Sequence, residues 1–195
     1  LETLRDMRNY IFPVEKITSK FRSISSIKDL KNFIQQRSAH VTQTTLYGYL
    51  KTRIGSRHAL MFEDEEYLKS INIAKWNIYV AAIADCTLYV FSYLKDIKNF
   101  DEKGQAQIVF SNILDEEKTN GLDNKIFFKA KTDFDLRLKT IEWNNYYKNK
   151  PFLNSCEALY KWAPIAEELK ILDKDIVLNS IKLKWNIVEN EFKDL

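Results

Sequence analysis

The sequence predicts an all-α protein, a compact irregular bundle of seven or eight helices, on three observations. Four Gly and three Pro in 195 residues are too few for the turns of a β-sandwich or the glycine loops of a dinucleotide-binding α/β unit. Apolar residues recur at spacings of three and four through most of the chain instead of alternating. A content of 45% hydrophobic and 29% charged residues suits one cooperative core rather than a disordered chain.

Taken in order, residues 1–25 read as an N-terminal arm, anchored by Tyr10, Phe12 and Phe21 around Pro13, and residues 26–195 as a single helical domain. Ser26 followed by Asp29 forms a capping box that opens a short helix through Leu30, Phe33 and Ile34. A second helix is expected from about Ser38 to Ile54, with Gly55 as its stop and Gly48 marking the close approach of a neighbouring element. The acidic segment from Phe62 to Glu66 leads into the longest apolar run, Ile71 through Leu94, which reads as a central helix buried on most faces. Lys75, Asn77 and Asp85 interrupt that run, so no transmembrane span is expected.

Beyond a charged hinge at Lys95 to Lys103, a helix carries Ile108, Val109, Phe110, Ile113 and Leu114 to the Asn120–Gly121 turn. Another is expected from about Asn124 to Lys148, ended by Pro151. Asn154 can cap the next, through Ala158, Leu159 and Trp162, before Pro164 breaks it or restarts it ahead of Leu169. Asp173 can cap the last helix, where Val177, Ile181, Trp185, Val188 and Phe192 form one stripe. No internal repeat or coiled-coil heptad run is evident, which favours one domain.

Cys86 and Cys156 lack CxxC spacing, so neither a disulfide scaffold nor a thiolate zinc site is indicated, and a reducing compartment is expected. No secretory signal is visible at Leu1. Basic and acidic groups number 30 and 27, a balance of +3 that says little about partners. Their distribution says more. Between Asp29 and Glu63 there is no acidic residue, while Lys31, Arg37, Lys51, Arg53 and Arg57 supply positive charge among Gln35, Gln36, His40, Gln43, Tyr47 and Tyr49. Tyr49, Arg53 and Arg57 follow an i, i+4, i+8 spacing and share one face of a continuing helix. Arg37, Tyr49, Lys51, Arg53 and Arg57 are therefore the candidate binding residues, for a protein partner, a phosphate or a phospholipid headgroup. Basic side chains near a helix C-terminus also suit the dipole without any ligand. Nucleic acid fits less well, because the remaining charge is well mixed.

Ser38 beside His40, and Ser56 beside His58, invite a hydrolase reading. Residues two apart on a helix do not face each other, which disfavours Ser38 with His40; Ser56 and His58 in a turn could meet, but no G-x-S-x-G elbow exists. No catalytic residue is assigned. Two histidines 18 positions apart and a Glu63–Glu66 run at a helix start give no metal-ligand spacing, so no metal and no cofactor are expected. Asp85 has only apolar helical neighbours in Ile78, Ala81 and Leu88, which calls for a structural ion pair, with Arg37 or Arg53 as candidate partners. Four Trp, ten Tyr and twelve Phe exceed ordinary packing needs. The Trp residues read as core, and Tyr146 and Tyr147 as interface candidates.

The segments 36–41 (QRSAHV), 46–53 (LYGYLKTR), 70–76 (SINIAKW) and 179–185 (NSIKLKW) resemble a family of small uncharacterised alphaproteobacterial helical proteins often labelled esterase, over about Phe33 to Phe192. The resemblance implies ester hydrolysis and an alphaproteobacterial or mitochondrial setting, and it brings no catalytic residues with it. Three readings therefore stand side by side. The leading one is a non-catalytic helical interaction protein, a subunit or accessory factor of a larger, membrane-peripheral assembly in the cytoplasm or mitochondrial matrix, docking through aromatic and basic surfaces. The others are a small serine-type ester hydrolase and an anion or nucleic-acid binding protein.

Overall fold

The computed structural model describes residues 12, 21, 23–55, 63–98 and 102–195. Among them are six α-helices: α1 (Ile27–Ile54), α2 (Glu65–Lys98), α3 (Glu102–Thr119), α4 (Asn124–Thr140), α5 (Leu153–Trp162) and α6 (Glu167–Asp194), with a 3-10 turn at Tyr146–Lys148. The all-α irregular bundle is present, but with six helices among the described residues rather than seven or eight.

Two fusions account for the difference. The short helix from Ser26 and the longer one to Ile54 are a single 28-residue α1. Nothing between Ile34 and Ser38 breaks a helix, and Phe33, Ile34, Arg37, Ser38 and Val41 are all buried across the supposed gap. At the other end, Asp173 is not a cap. It sits inside α6, which starts at Glu167 and also runs 28 residues. Its carboxylate has a tertiary partner in Arg53 that no local pattern announces.

Local signals set several ends. Ser26 Oγ accepts from the Asp29 N–H at 3.1 Å, and Gly55 stops α1 with φ 62°. Asp123 caps α4 through the N–H groups of Lys125 and Ile126. Gly121, with φ 100°, supports the turn that closes α3. The expected helix to Lys148 ends at Thr140, where the chain turns so that Ser92 Oγ donates to the Trp143 carbonyl at 2.5 Å. Gly48 does not mark a close approach: a Cβ built there meets nothing within 4 Å.

The second helix, α2, is the axis of the core, packed by α1, α3, α4, α5 and the 3-10 turn. Ile78, Tyr79, Ala82, Ile83, Cys86, Tyr89, Val90 and Phe91 are fully buried along it. By length and composition alone α2 could cross a membrane, and 72% of its most apolar window is buried against the other helices. Around it, Phe110 stacks on Phe134 at 3.8 Å between α3 and α4, and Phe152 stacks on Trp185 at 4.1 Å between α5 and α6. Phe12 is buried against Trp76 and Tyr79, and its N–H donates to Gln43 Oε1 at 3.0 Å.

Candidate docking surface

The last helix is apolar on two faces. Val177, Ile181, Trp185, Val188 and Phe192 point into the core. Leu169, Leu172, Ile176, Leu183 and Ile187 point outward, with relative exposures of 37, 75, 72, 63 and 61%. At about 100° per residue these five fall within roughly 60° of arc, and they extend about 27 Å along the helix. Single exposed aliphatic residues are ordinary on a protein surface, whereas several along one helix face, here interrupted at Asn179 and rimmed by polar groups, suit an interaction surface. Sequence reading named only the inward stripe. The outward row was legible as i, i+4 spacings (172 with 176, 183 with 187), but spacing does not say which of two apolar faces is left without a partner.

Two arginine clamps hold α6 in place, antiparallel to α1. Arg37 donates through Nε to Glu191 Oε2 at 2.6 Å and through Nη2 to Oε1 at 2.5 Å. Near the opposite end, Arg53 engages both Asp173 oxygens, and Tyr49 OH donates to Asp173 Oδ2 at 2.9 Å. The Arg53 hydrogen bond and charge hold the Asp173 carboxyl below the usual carboxylate range. Burial and the Asp173 carboxylate push Tyr49 up to about 12.

The sequence-derived basic cluster is thus divided. Arg37, Arg53 and Tyr49 serve these intramolecular contacts, Lys51 is exposed, and Arg57 lies outside the described residues, as do Ser56 and His58. The missing information was the pairing of α1 with acids 120 or more positions away.

Asp85 is fully buried, and its partner is Arg137 rather than Arg37 or Arg53. Asp85 Oδ1 accepts from Arg137 Nη2 at 2.6 Å and from Asn154 Nδ2 at 3.2 Å, and Oδ2 accepts from the Ser155 N–H at 2.7 Å. That last bond makes Asp85 the N-terminal cap of α5, whose own N-cap position is Phe152 and makes no side-chain cap. Asn154 is therefore a ligand of Asp85, not the cap the sequence suggested. Trp185 Nε1 donates to Ser155 Oγ at 2.9 Å, so the network ties α2, α4, α5 and α6 together. Burial pushes the Asp85 pKa up, against the pull of Arg137 and the Ser155 N–H.

Beside this network, α5 and α6 diverge into a groove of about 690 Å³. Phe152, Trp185 and Leu178 line it, with Lys150, Lys161, Lys174 and Lys182 around them and Glu157, Glu167 and Glu189 among them. None of these four lysines forms an ion pair among the described residues. Tyr146 and Tyr147 are not free interface aromatics. Tyr146 OH accepts from Arg137 and donates to the Pro151 carbonyl, and Tyr147 OH donates to Asp96 Oδ2 at 2.6 Å. Phe128 and Trp162 are exposed and Trp143 is half-buried, so of the four tryptophans read as core only Trp76 and Trp185 are buried in it.

Ser38 is fully buried on α1, whereas His40 is only partly covered, its pKa lowered by burial and by the charges of Arg37 and Lys184. They do not form a dyad open to substrate. Among the described residues no three His, Cys, Asp or Glu side chains converge as metal ligands. Both cysteines are buried and unpaired, and burial pushes the Cys156 thiol up to about 12. The chain matches no protein-family model, no curated protein and no solved structure. It is a helical protein whose exposed aliphatic, aromatic and charged residues suit docking, with no catalytic or metal-binding motif evident among the described residues.

Proposed function

We propose that this protein is a non-catalytic interaction subunit, a member or accessory factor of a larger assembly, docking through the outward face of α6. The observation that carries this reading is the aliphatic row Leu169, Leu172, Ile176, Leu183 and Ile187, left in solvent on a helix already anchored by its other face. The docking surface is thus mainly aliphatic, with Lys51 and the groove lysines as its basic surroundings. We place the assembly in a reducing compartment, the cytoplasm or the mitochondrial matrix and peripheral to a membrane, a setting that the two unpaired buried thiols suit.

The test is the native mass of the protein isolated from its own cells under mild detergent, compared with that of Ile176→Asp. The wild type is expected to migrate above a monomer and the variant to fall to monomer size with unchanged helicity. A wild type that migrates as a free monomer overturns the reading.

A second reading, binding of an amphipathic anion, is favoured by the α5–α6 groove, where an apolar floor lies among four lysines without ion-pair partners. Titration with a medium-chain alkyl phosphate should change the fluorescence of Trp185 in the groove, and should weaken with added salt and with Lys174→Ala. No spectral change on titration removes this reading.

A further inference from the structure

We infer that the occupant of the outward face of α6 is a second copy of this chain, docked antiparallel about a two-fold axis. The inference rests on the docking reading above and names its partner. A two-fold interface brings the same patch from both subunits together, so the patch must be complementary to itself. The outward row has that property.

Laid against its own copy in the antiparallel sense, α6 sets Leu172 opposite Leu183 of the partner subunit and, by symmetry, Leu183 opposite Leu172 of the partner subunit. Ile176 then faces Asn179 of the partner subunit, and Ile187 covers Ala166 of the partner subunit. All of these side chains are exposed in the single chain. The flank supplies the charge argument. Asp175 and Lys182 are both exposed, lie on the same side of the row one heptad apart, and have no ion-pair partner among the described residues.

In this register each Asp175 meets Lys182 of the partner subunit, which gives two symmetric ion pairs. Sliding one helix by a heptad in either direction puts Asp175 on its own copy or Lys182 on its own copy, and like charges repel. Asn179 adds specificity, since an amide within an aliphatic seam disfavours other registers at some cost in affinity. At the outer ends Glu168 faces Glu189 of the partner subunit, a residue whose charge is offset within its own helix by Lys193 at 3.7 Å. The sequence showed no heptad run because the inward stripe dominates the helix and polar residues interrupt the outward one. Exposure separates the two.

The test is sedimentation velocity of the purified chain over a range of micromolar concentrations. Wild type is expected to reach twice the 23.1 kDa chain mass, and Leu183→Asp to stay at that mass with unchanged far-UV circular dichroism. Asp175→Lys and Lys182→Asp should each weaken association about tenfold or more, and the double reversal Asp175→Lys/Lys182→Asp should restore it. A chain that stays monomeric, or a dimer indifferent to Leu183→Asp, overturns the inference. A dimer broken by Leu183→Asp whose charge reversals do not rescue each other overturns the antiparallel register. If the purified chain is monomeric while the cellular form still loses mass on Ile176→Asp, the docking reading stands and the second copy fails; a monomer in both settings removes both.

Discussion

Asp85 Oδ2 accepts the Ser155 N–H at 2.7 Å, so a residue in the middle of α2 caps a helix 70 positions further along the chain. The same carboxylate holds Arg137, and Ser155 Oγ in turn receives Trp185 Nε1. One buried charge therefore orders the start of α5 and, through it, the seat of α6.

Replacing Asp85 by Ala leaves Arg137 without its counter-charge and α5 without a cap, and is expected to cost about 3–5 kcal/mol in chemical denaturation. Arg137→Met behaves differently. Burial already pushes the Asp85 pKa up, so without Arg137 the carboxyl can take a proton. A raised folded-state pKa contributes stability that is full at low pH and lost as pH rises through it. Arg137→Met should therefore be milder in acid and more damaging as pH rises; a loss independent of pH would contradict this account of Asp85.

The clamp at the other end of α6 carries the opposite sign. Asp173 has its pKa lowered by Arg53 and Tyr49, so its contribution is present above the ordinary carboxylate value of 3.8 and is lost as pH falls through the depressed folded value. Acid should therefore lower the thermal midpoint of the wild type more steeply than that of Asp173→Asn. Parallel profiles would remove Asp173 from the acid response.

Trp185 combines a stack on Phe152 with a hydrogen bond to Ser155. Trp185→Phe keeps most of the packing and loses the bond, an expected cost of about 1 kcal/mol. Trp185→Ala opens a cavity beneath the groove and should cost about 3–5 kcal/mol. Equal losses in equilibrium unfolding would mean that the stack contributes nothing beyond the bond.

Gly48 lies inside α1 with open space where its Cβ would stand. Gly48→Ala is expected to stabilise by about 0.5–1 kcal/mol through helix propensity, raising the melting midpoint by about 2–4 °C per kcal/mol. A fall in midpoint would show that something approaches Gly48 in solution.

Much of the architecture was written locally. The scarcity of Gly and Pro and the three-and-four apolar spacing dictated helices, and Ser26, Gly55 and Gly121 set ends through cap and turn geometry that needs only neighbouring residues. The inward stripe from Val177 to Phe192 was legible for the same reason, since periodicity along one helix is a property of the helix alone. The failures share one cause. Asp173 looked like a cap, the intramolecular acids that engage Arg37, Arg53 and Tyr49 were not foreseen, and Asp85 was matched with the wrong arginines, because a charge pairs with whatever the chain brings within about 3 Å regardless of sequence distance. Only tertiary packing determined which acid met which arginine, and only packing divided the two apolar faces of α6 into one that closes the core and one that remains in solvent.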